Sequence, residues 1–183
     1  MTTTNELQEL INEHKRSDNS SAALYVSSYD RYNEYGGLSG MWVDMTTFCD
    51  LDDFQAFCAA YLGKNAEPMF CDFENLPPNL YSESWDGDRL GLLFEWLELD
   101  DDDRETVEEY WKYVDGGCTD FREMKDALAY KGDDFNDFYD ELADEMISGN
   151  NVPGCITQYF DYAAWRRDCS FGFYEGDRCL FSL

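Results

Sequence analysis

The chain has 183 residues, of which 40 are Asp or Glu and 13 are Lys or Arg, so its formal net charge is -27. This charge excludes an ordinary nucleic-acid reader, which carries a basic surface, and it argues against binding to an anionic membrane. Hydrophobic residues make up 44% and aromatic residues 17% of the chain, so it can bury a core, unlike a disordered acidic tail.

Residues 1–22 are predicted to be a flexible extension, within which residues 5–15 can form a short helix. Residues 23–76 are predicted to form a small α+β subdomain, because two runs with strand character flank a turn-rich segment and a helical pattern follows them. Its predicted elements are strands at 23–28, 38–45 and 69–73, with a turn-rich segment at 30–37 and a helix that Asp50 caps and Gly63 ends.

The sequence Leu76-Pro77-Pro78 marks a boundary, and residues 77–117 are predicted to be an acidic helical middle subdomain. Residues 118–183 are predicted to be an acidic helical subdomain that ends in a β-hairpin. Its predicted elements are a helix at 120–131 capped by Thr119, a helix at 134–147, a helix from Pro153 to about Asp168, and a hairpin that turns at 175–177. The predicted fold class is therefore α+β, as an elongated chain of small subdomains.

Known catalytic and cofactor patterns are missing from the sequence. The seven cysteines form no Cys-x-x-Cys pair and the only histidine is His14, so we expect reduced thiols, no metal site and a cytoplasmic location. There is no phosphate-binding glycine motif and no calcium-binding EF-hand pattern, so no cofactor is expected. Pairs such as Asp72 and Glu74 could serve a carboxylate hydrolase, although such pairs arise by chance in so acidic a chain. An acidic metal-dependent hydrolase stays a separate alternative.

The negative charge is concentrated in the helical half, where residues 95–145 hold 20 acidic and five basic residues. We predict that these carboxylates form a surface that binds a basic partner. The predicted surface consists of Glu95, Glu98, Asp100, Asp101, Asp102, Asp103, Glu105, Glu108, Glu109, Asp115, Asp120, Glu123, Asp126, Asp133, Asp134, Asp137, Asp140, Glu141, Asp144 and Glu145.

Residues 133–147 show the pattern most clearly. Apolar residues recur at helical spacing, and the carboxylates on the other face lie three or four residues apart, or about every 5–6 Å along a helix. This interval is on the scale of phosphates in DNA, and 27 charges correspond to about 46 Å of duplex, or about 13 base pairs. A solvated face or an adaptation to high salt would give a similar composition, so charge alone leaves these readings open.

Four stretches resemble the ArdA-type antirestriction proteins, and their order and approximate separations agree with that family from residue 23 to near the end of the chain. They are LYV at 24–26, GLSGMWVD at 37–44, AYKGDDF with FYDELADE between 129 and 145, and YFDYAAWRRD at 159–168. The sequence departs from the family pattern in residues 1–22, in residues 81–88, in the Cys-rich C-terminal hairpin and at Trp165, which replaces a smaller aromatic residue.

The resemblance implies a non-enzymatic DNA mimic that forms homodimers and is carried by mobile genetic elements. Its implied partner is a type I restriction–modification enzyme, whose methyltransferase core would be blocked in the bacterial cytoplasm, and it would bind no nucleic acid itself. The acidic residues would form the decoy surface, whereas Tyr162 and Trp165 would be structural. The alternative is an acidic decoy or chaperone for another basic DNA-binding protein.

Overall fold

A computed structural model describes residues 4–37 and 39–183. Within these ranges the chain forms nine α-helices and two three-stranded antiparallel sheets, which confirms the predicted α+β class. The chain divides into two compact units, one that ends at Leu99 and one that begins at Asp100. The three-part division at residues 76 and 117 and the elongated arrangement of subdomains remain predictions.

The first unit contains a sheet with strand order β2-β1-β3. Its strands pair antiparallel, with Leu24 opposite Val43 on one side and opposite Phe73 on the other. Its elements are α1 (Thr4–His14), β1 (Ala23–Ser28), α2 (Tyr29–Tyr35), β2 (Met41–Asp44), α3 (Leu51–Leu62), β3 (Pro68–Glu74) and α4 (Gly87–Glu98), with 3-10 turns at Met45–Thr47 and Pro78–Leu80.

Local signals located the first strand and the third helix correctly. The strand at 23–28 is confirmed, and so is the helix that Asp50 caps by accepting a hydrogen bond from the Asp53 N–H at 2.8 Å. The turn-rich segment at 30–37 was wrongly predicted, because Ser28 caps a seven-residue helix there. The second strand starts at Met41 rather than at residue 38, and Leu38 lies outside the described residues.

An aromatic cluster forms the core of the first unit. Phe54 and Phe57 of α3 are buried together with Phe70 of β3, and the rings of Phe54 and Phe70 lie 5.9 Å apart. Each fully buried side chain of this size stabilises the fold by about 1.5–3 kcal/mol relative to exposure. This burial opposes the self-repulsion of the acidic surface.

Helix α1 packs against this cluster through its last residue. His14 is only 5% exposed, and its ring stacks on Phe48 with centroids 4.1 Å apart. Its Nδ1 lies 2.8 Å from the hydroxyl of Thr47, whose single proton is donated to the Asp44 carbonyl. His14 Nδ1–H is therefore the donor to Thr47. These contacts attach the end of α1 to the first unit, and the flexibility expected of residues 1–22 remains a prediction.

The second unit contains a sheet with strand order β4-β6-β5. Its elements are α5 (Asp101–Tyr113), α6 (Phe121–Asp126), β4 (Leu128–Lys131), α7 (Phe135–Gly149), α8 (Gly154–Thr157), α9 (Tyr162–Cys169), β5 (Phe173–Glu175) and β6 (Cys179–Ser182). Among the described residues, no helix has the length and apolar character needed to cross a membrane.

The C-terminal hairpin is confirmed, but two helix predictions in this unit were wrong. The helix predicted at 120–131 ends at Asp126, because the next residues pair with β6 as a strand. Its cap is Asp120 rather than Thr119. The predicted helix from Pro153 is two helices, since Asp161 caps a new one by accepting a hydrogen bond from the Ala164 N–H.

Replacement of His14 by alanine is expected to destabilise the first unit by about 1–3 kcal/mol, because it removes a buried ring from the aromatic cluster. Urea unfolding followed by tryptophan fluorescence measures this loss. The matched control is Glu13→Ala, on an exposed neighbour in the same helix, which should change stability by less than about 0.5 kcal/mol. Equal effects of the two substitutions would contradict the docking of α1 through His14.

Candidate partner-binding surface

Most of the predicted surface carboxylates are accessible in the structure. Sixteen of the twenty are exposed. Three are half-buried, namely Asp103, Glu105 and Asp140, and Glu109 alone is buried. The set spans both units, since Glu95 and Glu98 lie on α4 of the first unit.

Helix α7 presents an arc of carboxylates on its outer side. It buries Tyr139 and Ala143 on its inner side. At 3.6 residues per turn, its five acidic residues lie within an arc of about 140° on the other side and span about 12 Å along the axis. They are Asp137, Asp140, Glu141, Asp144 and Glu145. We call this arc the α7 acidic face.

Three acidic residues of the predicted surface cap helices. Asp100, Asp120 and Asp134 each accept a hydrogen bond from a backbone N–H in the first turn of α5, α6 and α7, at 2.8–2.9 Å. Capping stabilises a helix by about 1 kcal/mol, and the helix dipole favours a negative charge at this end. These carboxylates therefore contribute to the fold while they remain exposed.

Carboxylates on α5 are cross-linked to the sheet of the second unit. Lys131 on β4 pairs with Asp102 and Glu105, each at 2.9 Å, and Arg178 pairs with Glu105 at 3.1 Å. The hydrogen bond from Lys131 is the main reason that the pKa of Glu105 lies below its ordinary value. The ion pair therefore stabilises the folded second unit at neutral pH, and this stabilisation is lost as the pH falls through the lowered pKa of Glu105.

The structure corrects the assignment of Glu109 to the partner-binding surface. Glu109 is 7% exposed, and its carboxylate accepts hydrogen bonds from the backbone N–H groups of Asp177, Arg178 and Cys179 at 2.9–3.0 Å. It therefore fixes the turn of the C-terminal hairpin to α5 and is not available to a partner. Local spacing in α5 did not indicate this position, because it depends on a turn that lies about 70 residues later in the chain.

A side chain on Gly176 would not fit in this turn. A β-carbon at Gly176 would overlap the Glu109 carboxylate and would lie 2.9 Å from the Cys179 carbonyl oxygen. The glycine thus permits the close approach between the hairpin turn and α5 that the three hydrogen bonds require.

Two carboxylates of the α7 acidic face are bound within the unit. Asp140 forms a two-pronged ion pair with Arg166, and Asp144 accepts a hydrogen bond from the Tyr162 hydroxyl at 2.6 Å. Arg166 holds the pKa of Asp140 below its ordinary value. Within the described part of the chain, the other three carboxylates of the face, Asp137, Glu141 and Glu145, form no ion pair.

The net charge is divided almost equally between the two units. The first unit has 18 acidic and five basic residues, for a net charge of -13, and the second has 22 and eight, for a net charge of -14. Net charge therefore does not by itself single out the second unit. What distinguishes α7 from the acidic α5 is that three of its carboxylates form no ion pair with a described residue, whereas Asp101, Asp102 and Glu105 of α5 are all paired.

The cysteines give no sign of a reactive or metal-binding centre in the described residues. All seven are free thiols, and burial raises the pKa of Cys58 to about 12 and that of Cys179 to about 11, so these two are protonated at neutral pH. No group of three or more His, Cys, Asp or Glu residues in the described ranges is arranged to hold a metal ion.

Comparison with protein families relates the chain to a known family. The model of the family described as antirestriction protein (ArdA) matches residues 24–176, which is most of the chain. The matched range begins after α1 and ends in the turn of the C-terminal hairpin. A comparison with curated proteins finds no match.

Replacement of Glu109 by glutamine is expected to destabilise the second unit by about 2 kcal/mol, because it removes the charge that three backbone N–H groups stabilise. Chemical denaturation measures the loss. Glu108→Gln is the matched control, since it makes the same change at the adjacent exposed position and should leave stability almost unchanged. A Glu109 variant as stable as the control would contradict the structural role of this carboxylate.

Proposed function

The chain belongs to the ArdA family of antirestriction proteins, and we propose that it mimics DNA in the binding groove of a type I restriction–modification enzyme. Family membership implies an antirestriction function against such enzymes, and the family is one of inhibitors rather than enzymes. The mode of action is our proposal, and the α7 acidic face is the observation that carries it.

The spacing of charge on α7 supports the mimicry. The five carboxylates span about 12 Å, a mean axial separation of about 3 Å, compared with one phosphate per about 1.7 Å of duplex axis. Asp137, Glu141 and Glu145 project from an ordered helix and form no ion pair with another described residue. A cleft lined with Lys and Arg at phosphate spacing would therefore find acceptors at similar intervals.

The proposed mechanism is equilibrium competition for the groove. A prefolded helix loses little conformational freedom on binding, and it avoids the energy that bending or unwinding DNA can require. Attraction between the acidic surface and the basic groove accelerates association and makes it sensitive to salt. Because an exposed charge pair contributes only about 0.2–1 kcal/mol, the affinity is spread over many carboxylates.

We also propose that the protein acts as a homodimer on the methyltransferase core of the enzyme, in the cytoplasm of a bacterial host, and so protects incoming mobile DNA. The total charge is compatible with a dimer that replaces a protein-binding site on DNA. One chain matches about 13 base pairs of duplex by charge, and two chains match about twice that length.

Displacement of DNA tests the proposal directly. A type I methyltransferase bound to labelled duplex DNA with its recognition site is titrated with this protein at low salt, and the bound DNA is measured. We expect displacement that weakens steeply as salt rises. No displacement at low salt would refute the proposal, and displacement from unrelated basic DNA-binding proteins with equal affinity would favour the broader alternative of a general decoy.

Neutralisation of the unpaired carboxylates of α7 should weaken competition. The variant Asp137→Asn, Glu141→Gln, Glu145→Gln loses three charge pairs with the groove and is expected to compete about 3- to 100-fold less well. The same titration measures it, together with the slope of affinity against salt, which should become shallower.

The matched control removes the same three charges from α1, which lies outside the family match. The control variant is Glu6→Gln, Glu9→Gln, Glu13→Gln. This control should displace DNA more strongly than the α7 variant does, and almost as strongly as the unmodified protein, because it changes the total charge but leaves the α7 acidic face intact. Equal losses in both variants would show that net charge, rather than the α7 acidic face, determines binding.

A further inference from the structure

Three side chains of α9 bind α7. The Tyr162 hydroxyl donates to Asp144, Trp165 Nε1–H donates to the backbone carbonyl of Tyr139 at 2.9 Å, and Arg166 donates through two nitrogens to Asp140. The three donors are at positions i, i+3 and i+4, so they share one face of α9. Their acceptors are spread over about 7.5 Å of the α7 axis.

These bonds restrain α7 in different directions. The planar guanidinium of Arg166 meets both oxygens of Asp140, which fixes the geometry of the pair more tightly than a single contact does. Trp165 binds the main chain of α7, so its contact holds the helix itself rather than an acidic side chain. Together the contacts limit rotation of α7 about its axis and sliding along α9.

Packing alone gives α7 limited support. Of its 15 residues only Tyr139 and Ala143 are fully buried. Aromatic contacts of Phe138 and Tyr139 with Phe173 add to this, with ring centroids 5.4 and 5.9 Å apart. Most of the helix therefore faces solvent, and its orientation depends on contacts such as those from α9.

The ion pair also reduces the negative charge of the face. A surface that served only to be negative would be better without Arg166, because the arginine neutralises Asp140. Orientation of the remaining carboxylates is a benefit that offsets this loss. The adjacent Arg167 offers the contrast, since it is 70% exposed and pairs only with its neighbour Asp168 among the described residues.

Resting on the proposed function, we propose that Tyr162, Trp165 and Arg166 are positioning residues that orient the α7 acidic face toward the basic groove of the partner. They act through α7 and do not themselves contact the partner. The family resemblance implies a structural role for Tyr162 and Trp165, and the contacts with α7 give that role a specific form.

The decisive comparison is Arg166→Gln against Arg167→Gln, which remove the same charge from adjacent residues. If net charge alone sets affinity, both variants compete slightly better than the unmodified protein. If α9 positions α7, Arg166→Gln competes about fivefold or more worse, whereas Arg167→Gln is unchanged or slightly better. Arg166→Lys, which keeps the charge but loses the planar fork, should recover part of the loss.

Two further readouts separate positioning from a general loss of stability. The slope of affinity against salt should become shallower for Arg166→Gln although the protein is more negative, because fewer ion pairs form. Hydrogen exchange should rise in α7 but not in α5, under conditions where circular dichroism shows both variants folded. Trp165→Phe, which removes one hydrogen bond and no charge, should change affinity in the same direction.

An Arg166→Gln protein that is folded and competes as well as Arg167→Gln would overturn the positioning role. Unchanged hydrogen exchange in α7 would overturn it as well. If the unmodified protein fails to displace DNA, the proposed function fails, and the exchange comparison still decides whether α9 holds α7.

Discussion

The scarcity of positive charge constrains this structure throughout. Forty carboxylates repel one another, and only 13 cations are available to offset them. At least eleven of these cations form an ion pair or donate a hydrogen bond within the described residues, and several join segments far apart in the chain. Arg16 binds Glu74, Lys131 binds Glu105, and Arg178 binds Asp133. These three cations thus serve as cross-links inside each unit, and within the described ranges Asp137, Glu141 and Glu145 of α7 have no ion-pair partner.

Backbone N–H groups stabilise several carboxylates that would be paired with cations in a less acidic protein. Glu109 is stabilised by three N–H groups of the hairpin turn, and Asp100 and Asp134 by those at the start of α5 and α7. Because backbone dipoles carry no net charge, they stabilise these carboxylates without lowering the total charge of the protein. Local folding and strong surface charge are therefore compatible, and the same carboxylates can contribute to both.

The parts of the fold that could be predicted from the sequence are those with local causes. The helix at 51–62 follows from its cap, its apolar spacing and the glycine after it, and these act within a few residues. Strand β4 could not be found in this way, since residues 128–131 continue a helical pattern and become a strand through pairing with β6, about 50 residues later. The exposed arc of α7 followed from helical periodicity, whereas the burial of Glu109 and the pairing of Asp140 with Arg166 depend on tertiary contacts that residue counts do not reveal.

On α7, the carboxylates that hold the helix in place and the carboxylates that remain unpaired lie on different sides of the acidic arc. At 100° per residue, Asp140 and Asp144 fall on one side of the acidic arc, and Glu141 and Glu145 fall on the other, with Asp137 between them. The contacts from Arg166 and Tyr162 use the first side only. The helix is thus held by one edge of its charged face, while the other edge forms no ion pair within the part of the chain that the structure describes. A face fixed in this way loses less conformational entropy on binding than the side chains of a mobile helix would. The smaller entropy loss increases affinity without any additional charge. In a protein that already carries a net charge of -27, the mimicry that we propose would therefore depend on the placement of the existing charges rather than on additional charge.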